Sequence, residues 1–186
     1  MIVVRDAIRE DAAALGALHA RTWRESYWGL LPDHLVARET AWDREEWWRS
    51  RLMRMRSGPE LKDESVALGF ERDGAPLGFV WTGPSRHREA EWDGEIYMLY
   101  VLNTAQRQGL GRRLMAEAAR RLVGRGFFRI GLWVLEDNGP ARAFYETLGG
   151  RFSGARSEPM ARGAMPVAGY VWSDVSVLMQ NALERD

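Results

Sequence analysis

The 186-residue sequence predicts a single mixed α/β domain, residues 1–186, and three observations carry that expectation. First, an apolar run, Ile96-Tyr97-Met98-Leu99-Tyr100-Val101, leads through the glycine-containing loop Gln106-Arg107-Gln108-Gly109-Leu110-Gly111. Leu110, Leu114, Ala118 and Leu122 then recur at intervals of four, the spacing of a helix with one buried face. Second, residues 65–72 and 77–81 flank Asp73-Gly74, a dipeptide that favours a hairpin turn. Third, strands alternate with helices in the middle of the chain, and hairpins stand at both ends.

Each element has a local reason. Residues 2–7 read as a short strand, and Asp11 as the N-cap of a helix with Leu15, Leu18 and Trp23 on one face. Gly29 and Pro32 punctuate the chain before a second helix to about Met55, which Ser57-Gly58-Pro59 breaks. A charged loop runs from Gly83-Pro84 to Asp93-Gly94, where the central strand begins at Glu95. Gly124 and Gly126 end the helix that follows the glycine loop. Residues 128–134 read as a buried strand, and Gly139-Pro140 opens the next helix. Residues 151–156 and 167–179 would form a last strand pair, with Val167, Val171, Val175, Val177 and Met179 sharing a face by alternation.

Composition excludes more than it indicates. Lysine plus arginine and aspartate plus glutamate each number 26, so no global field draws in nucleic acid or an anionic membrane. Lys62 is the single lysine, and arginine carries the rest of the basic charge. Cysteine is absent, which rules out a disulfide framework, a thiolate zinc site and a cysteine nucleophile. That fits a reducing compartment, and the cytoplasm is the expected location. No signal peptide is visible at Met1-Ile2-Val3-Val4-Arg5, and no apolar run approaches the length of a membrane span. His19, His34 and His87 show no ligand spacing, so no metal is expected.

A strand that enters a helix through a glycine loop is a site for phosphate. Glycine lets the backbone turn tightly, and the free N–H groups of the first helical turn point at the anion. The backbone amides of residues 107 and 109–112 are the expected donors, from Arg107, Gly109, Leu110, Gly111 and Arg112, and Arg107 and Arg112 add charge. Arg113, Arg120 and Arg121 are expected on a solvated helix face. A Walker A loop would need Lys after its closing glycine, where Arg112 stands, and a dinucleotide fingerprint would need glycine at Leu114.

The letters do resemble the pyrophosphate loop of the GNAT superfamily, Gln/Arg-x-x-Gly-x-Gly/Ala, with Gln106, Gly109 and Gly111 in its defined positions and Gln108 between them. Upstream, residues 95–101 resemble that family's central strand. Downstream, Asn138 to Gly150 resembles its second signature, with Tyr145 inside it. The resemblance implies a twisted, mostly antiparallel sheet of about seven strands, flanking helices and a V-shaped splay between two central parallel strands. It also implies acetyl-CoA as co-substrate and transfer of the acetyl group to a primary amine of a small molecule or peptide, by direct attack in a ternary complex. A non-catalytic acyl-CoA-binding regulator is the alternative, and a homodimer is left open.

By the same resemblance Glu95 is the general base, acting directly or through water, with Glu91, Asp93 and His87 in reserve, and Tyr145 is the acid for the departing thiolate. A bulge around Leu99-Tyr100 would free an N–H for the thioester carbonyl, while Val101 would pair with the pantetheine arm. Asn138 can serve the pantetheine or cap its helix. The first two helices would roof the acceptor side. Trp23, Tyr27, Trp28, Trp47 and Trp48 are more large aromatics than two helices need for packing, so Trp23, Tyr27 and Trp28 are expected to line the acceptor pocket. Glu25, Asp33 or His34 would lie near the amine, and Trp28, just before the Gly29 break, is the expected anchor.

Overall fold

The computed structural model describes residues 2–71, 74–160 and 163–180. Seven strands form one open sheet: β1 (Ile2–Asp6), β2 (Ser65–Glu71), β3 (Pro76–Pro84), β4 (Gly94–Val101), β5 (Ile130–Leu135), β6 (Arg151–Met160) and β7 (Gly163–Trp172). Their order is β1-β2-β3-β4-β5-β7-β6. Every neighbouring pair is antiparallel except β4 and β5, which run parallel and are joined at only two positions, Gly94 with Ile130 and Glu95 with Gly131. Beyond Glu95 the two central strands part, which is the expected splay.

Among the described residues six α-helices accompany the sheet: α1 (Ala12–Tyr27), α2 (Asp33–Val36), α3 (Ala41–Ser57), α4 (Leu110–Val123), α5 (Gly139–Thr147) and α6 (Ser176–Gln180). Alternation along β3 assigns α1 with α3 and α4 to opposite faces of the sheet. Phe79 packs against His19 and Trp48, whereas the Cα of Gly78 faces Leu114. Leu110, Leu114, Ala118 and Leu122 are all fully buried, so the interval of four marks the face of α4 that covers the sheet.

Several boundaries differ from the sequence reading, each for a local reason. β7 ends at Trp172, and Val175, Val177 and Met179 lie in the turn and helix beyond it. The Asp174 carboxylate accepts from the Ser176 hydroxyl and N–H at 2.6 and 3.0 Å, which starts α6. Val175 and Met179 are four apart, a spacing that serves a helix as well as a strand. β6 runs on to Met160 and tolerates Pro159 because it is an edge strand. β5 starts at Ile130, and Phe128 is exposed in the link where Asp93 accepts the N–H groups of Phe128 and Arg129. Asp11 stands at the N-cap position of α1 as expected, but its side chain makes no cap hydrogen bond; the carboxylate turns back to Arg5 and to the Ile8 N–H. Arg121 is buried between Asp6 and Glu117 rather than solvated, and Arg113 donates to the Ile2 carbonyl. Asp73 and Arg72 of the expected hairpin turn lie outside the described residues, but β2 and β3 pair on either side of it as a hairpin would.

The core between α1, α3 and the sheet is aromatic, and His19 sits fully buried in it. Its ring lies 5.3 to 5.8 Å from those of Trp48, Phe79 and Tyr100. The Trp48 indole N–H donates to His19 Nδ1 at 3.1 Å, which requires a lone pair there and a neutral ring. Burial, and then the charge of Arg44, pull the imidazole down to about 3. In the unfolded chain it titrates near about 6.5. The folded state therefore refuses a proton that the unfolded state accepts. This contribution to stability is complete above the unfolded value and is lost as pH falls towards the folded one. The loss is about 1.4 kcal/mol per pH unit, or roughly 2 kcal/mol at pH 5. Urea titrations at pH 7 and pH 5 should show that drop. His19→Gln, which keeps an acceptor for Trp48, should lose markedly less between the two pH values; an equal drop would assign the acid sensitivity to other groups.

Candidate active site

The glycine loop is held in an unusual backbone conformation by its own side chains. Arg107 has φ 58° and Gly109 φ 84°, two left-handed residues in the turn that enters α4. The Gln106 side-chain amide donates to the Val101 carbonyl at 3.3 Å and to Asn103 Oδ1 at 3.0 Å, and Gln108 donates to the Thr104 carbonyl at 2.9 Å. Gln106 thus shapes the loop through its side chain. α4 begins at Leu110 with no side-chain cap and no acidic residue in its first turn. The earliest helical bond beyond the loop is Arg113 N–H to the Gly109 carbonyl, which leaves the amides of Leu110, Gly111 and Arg112 available. Leu110 contributes backbone alone, because its side chain is buried in the core. A Cβ on Gly111 would stand 3.1 Å from the Phe144 ring, so glycine there lets α4 and α5 approach each other.

From this loop the splay runs back along β4. The β3–β4 register shifts between Trp81, which faces Met98, and Thr82, which faces Ile96. Tyr97 is therefore the extra residue of a bulge, which lies there and not at Leu99-Tyr100 as expected. The Leu102 N–H donates to the Leu77 carbonyl at 2.9 Å, towards β3. Alternation then turns the amides of Leu99 and Val101 towards the open side, where β5 has already diverged. The Tyr100 side chain points instead into the core, and its hydroxyl donates to the Tyr27 hydroxyl at 3.2 Å.

Tyr145 lies across the splay on α5, packed against Phe144, Tyr170 and Trp172. Burial first, and the neighbouring Tyr27 oxygen second, push its phenol up, so it keeps its proton. Burial likewise holds Tyr100 and Tyr27 protonated. Asn138 caps α5, its Oδ1 accepting the Ala141 N–H at 3.2 Å.

Glu95 is fully buried where β4 and β5 are still paired, and it is not a free carboxylate. Arg86 donates to one oxygen from Nη2 at 2.5 Å and Nε at 3.0 Å, and to the other from its backbone N–H at 2.9 Å. The guanidinium also lies 4.3 Å over the Tyr97 ring. Beside this pair opens a cleft of about 360 Å³, lined by Trp23 and Tyr27 of α1, Arg86 and His87, Trp133 of β5 and Glu158 of β6, among others. Trp23 and Tyr27 stand with ring centroids 4.4 Å apart. His87 meets Arg156 at 2.5 Å, and burial followed by that positive charge pulls its imidazole down. A larger hollow of about 410 Å³ between β1, α4 and α6 contains none of these groups.

The cleft does not gather every expected residue. Trp28 is 65% exposed at the end of α1 and is absent from the cleft lining, since the chain leaves the helix before it. Trp47 and Trp48 pack on Trp81 in the core. Glu25 accepts the Asn103 N–H at 2.8 Å and so ties α1 to the root of the glycine loop. Asp33 and His34 are exposed, Glu91 pairs with Arg151, and Asp93 holds backbone amides.

The sequence profile of the acetyltransferase (GNAT) family matches residues 20–150, which include the glycine loop, the whole of β4 and β5, and Tyr145. The chain belongs to the GNAT family. It is 30% identical over 178 residues to the uncharacterized N-acetyltransferase YuaI of Bacillus subtilis, spanning 96% of each chain. The mycothiol acetyltransferase of Thermomonospora curvata is 36% identical over 102 residues, 55% of this chain but only 33% of that enzyme. Among solved structures, the PaiA N-acetyltransferase of Thermoplasma acidophilum in complex with coenzyme A superposes with a TM-score of 0.68. It covers 90% of this chain and 98% of its own at 19% identity, a likeness of fold. This GNAT chain is thus an acyltransferase whose sequence reading missed Arg86, Arg156, Glu158 and Trp133. Arg86 and Arg156 stood among 25 arginines with nothing local to single them out.

Proposed function

We propose that the protein moves an acetyl group from acetyl-CoA to a primary amine of a small molecule or peptide, by direct attack while both substrates are bound. The observation that carries this reading is the continuity of the open side of β4. It leads from the uncapped start of α4, past the amides of Leu99 and Val101, to the cleft beside Glu95. Amides 109–112 with Arg107 and Arg112 suit a pyrophosphate. The Val101 N–H can pair with an extended arm as a strand would, and the spare Nδ2 of Asn138 can meet its amides.

An alkylamine with a pKa of about 10 is mostly protonated at pH 7 and must lose a proton to attack. Glu95 receives it through water, because Arg86 already occupies the carboxylate. The amine nitrogen bonds to the thioester carbon, the Leu99 amide supports the oxygen as it gains charge, and the carbon–sulfur bond breaks. Tyr145 gives its proton to the sulfur. Among the described residues no helix is long and apolar enough to cross a membrane, and no group of three His, Asp or Glu could hold a metal ion. Release of thiol from acetyl-CoA, followed against a panel of primary amines, tests the proposal. Acceptor-dependent thiol release with an N-acetyl product is expected; tight acetyl-CoA binding without release for any amine would overturn it.

A further inference from the structure

The walls of the cleft describe the acceptor more narrowly than a primary amine, provided the acetyl-transfer reading above holds. Two ion pairs border it, Arg86 with Glu95 and Arg156 with Glu158, and each presents one member to the cleft. Arg86 lines it with its side chain 50% exposed, while its partner Glu95 is 1% exposed behind it. Glu158 lines it, while Arg156 stands behind, stacked 4.1 Å over the Trp133 ring. The cleft therefore offers one positive and one negative pole with no net charge between them. Nε and Nη2 of Arg86 are taken by Glu95, which leaves the other guanidinium nitrogen, Nη1, without a hydrogen bond to a described residue.

Two aromatic walls, Trp23 with Tyr27 and Trp133, complete the cleft. The indole N–H groups of Trp23 and Trp133 are buried and find no acceptor among the described residues. Both nitrogens are closed off from the cleft itself, as is that of Trp92, so the rings offer it their apolar faces. Aromatic walls, a positive pole and a negative pole match a molecule that is aromatic, carries an ammonium and carries a carboxylate.

We propose that the acceptor is a zwitterionic aromatic amino acid, or a compound built like one. Its carboxylate meets Arg86, its amine meets Glu158 before deprotonation, and its ring lies between Trp23 and Trp133. Arg86 and Glu158 are then specificity-determining residues. With Nε and Nη2 held by Glu95, Nη1 of Arg86 can give the acceptor's carboxylate one charge-assisted hydrogen bond.

Phenylalanine and phenethylamine differ only in the carboxylate, and calorimetry in the presence of coenzyme A measures their binding without turnover. Phenylalanine is expected to bind about tenfold tighter or more, the scale of one charge-assisted hydrogen bond. Arg86→Met should bring the two together. Glu158→Gln should weaken both and leave their ratio standing. Equal or weaker binding of phenylalanine by the unaltered protein, no binding of either compound, or a preference that survives Arg86→Met would each overturn the assignment. The same pair is then offered with acetyl-CoA. A binding preference without any N-acetyl product would leave the cleft assignment standing and remove the acetyl-transfer reading. Product formed faster from phenethylamine would do the reverse.

Discussion

Gly109→Val is expected to raise the acetyl-CoA dissociation constant about a hundredfold or more in calorimetry, while circular dichroism stays as in the unaltered protein. Gly109 has φ 84°, where a β-branched residue is strained, so the loop must turn over to relieve it. Turning it over points the amides at 109–111 away from the phosphates. Losing two hydrogen bonds to a charged group costs about 3 kcal/mol or more, which is the hundredfold. The fold itself is spared, because a Cβ on Gly109 meets nothing within 4 Å. Gly111→Val would be a poorer experiment. Its Cβ stands 3.1 Å from the Phe144 ring, so lost binding would come mixed with a disturbed contact between α4 and α5. Undiminished affinity in Gly109→Val would place the pyrophosphate elsewhere.

Tyr145→Phe removes one oxygen and keeps the ring that packs on Tyr170 and Trp172. No hydrogen bond to a described residue is lost with it, so stability should hardly change. A general acid contributes about 10² to 10⁴-fold, and kcat should fall within that range while the acetyl-CoA dissociation constant holds. Glu95→Gln should lower kcat as well, with a different signature. Its rate should partly recover at alkaline pH, where more of the amine is already neutral, whereas Tyr145→Phe should show no such recovery. Unchanged kcat in Tyr145→Phe, or a pH profile in Glu95→Gln identical to that of the unaltered protein, would remove that residue from the chemistry.

What could be read from the sequence was whatever local spacing determines. The loop 106–111 was legible because a close turn into a helix needs glycine at set positions, and α4 because its buried residues repeat every four. The splayed parallel pair at the centre of the sheet followed from the family resemblance and agrees with the pairing of β4 and β5. The end of the chain was not legible, since Val175 and Met179 satisfy both periods and the Asp174 turn decides between them. Neither was the bulge at Tyr97, which is a property of two strands in register rather than of one strand's letters. The cleft was the least legible part. Arg156 and His87 are 69 residues apart, and Glu25 finds its partner at Asn103, so what these side chains do depends on contacts that sequence spacing does not reveal. Trp28 stands just before a break in the chain, and that same break carries it away from the cleft.

The parting of β4 from β5 after two paired positions also bears on how long the folded chain lasts. A strand with one side unbonded in the middle of a sheet leaves hydrogen-bonding capacity unused, and any molecule that fills the gap binds the folded chain and not the unfolded one. Survival against unfolding and proteolysis then becomes a function of that molecule's concentration. A hundredfold excess over its dissociation constant adds about 2.7 kcal/mol to the folded state. In a cell rich in such a ligand the protein would persist, and in one depleted of it the protein would be cleared sooner, with no change in its synthesis.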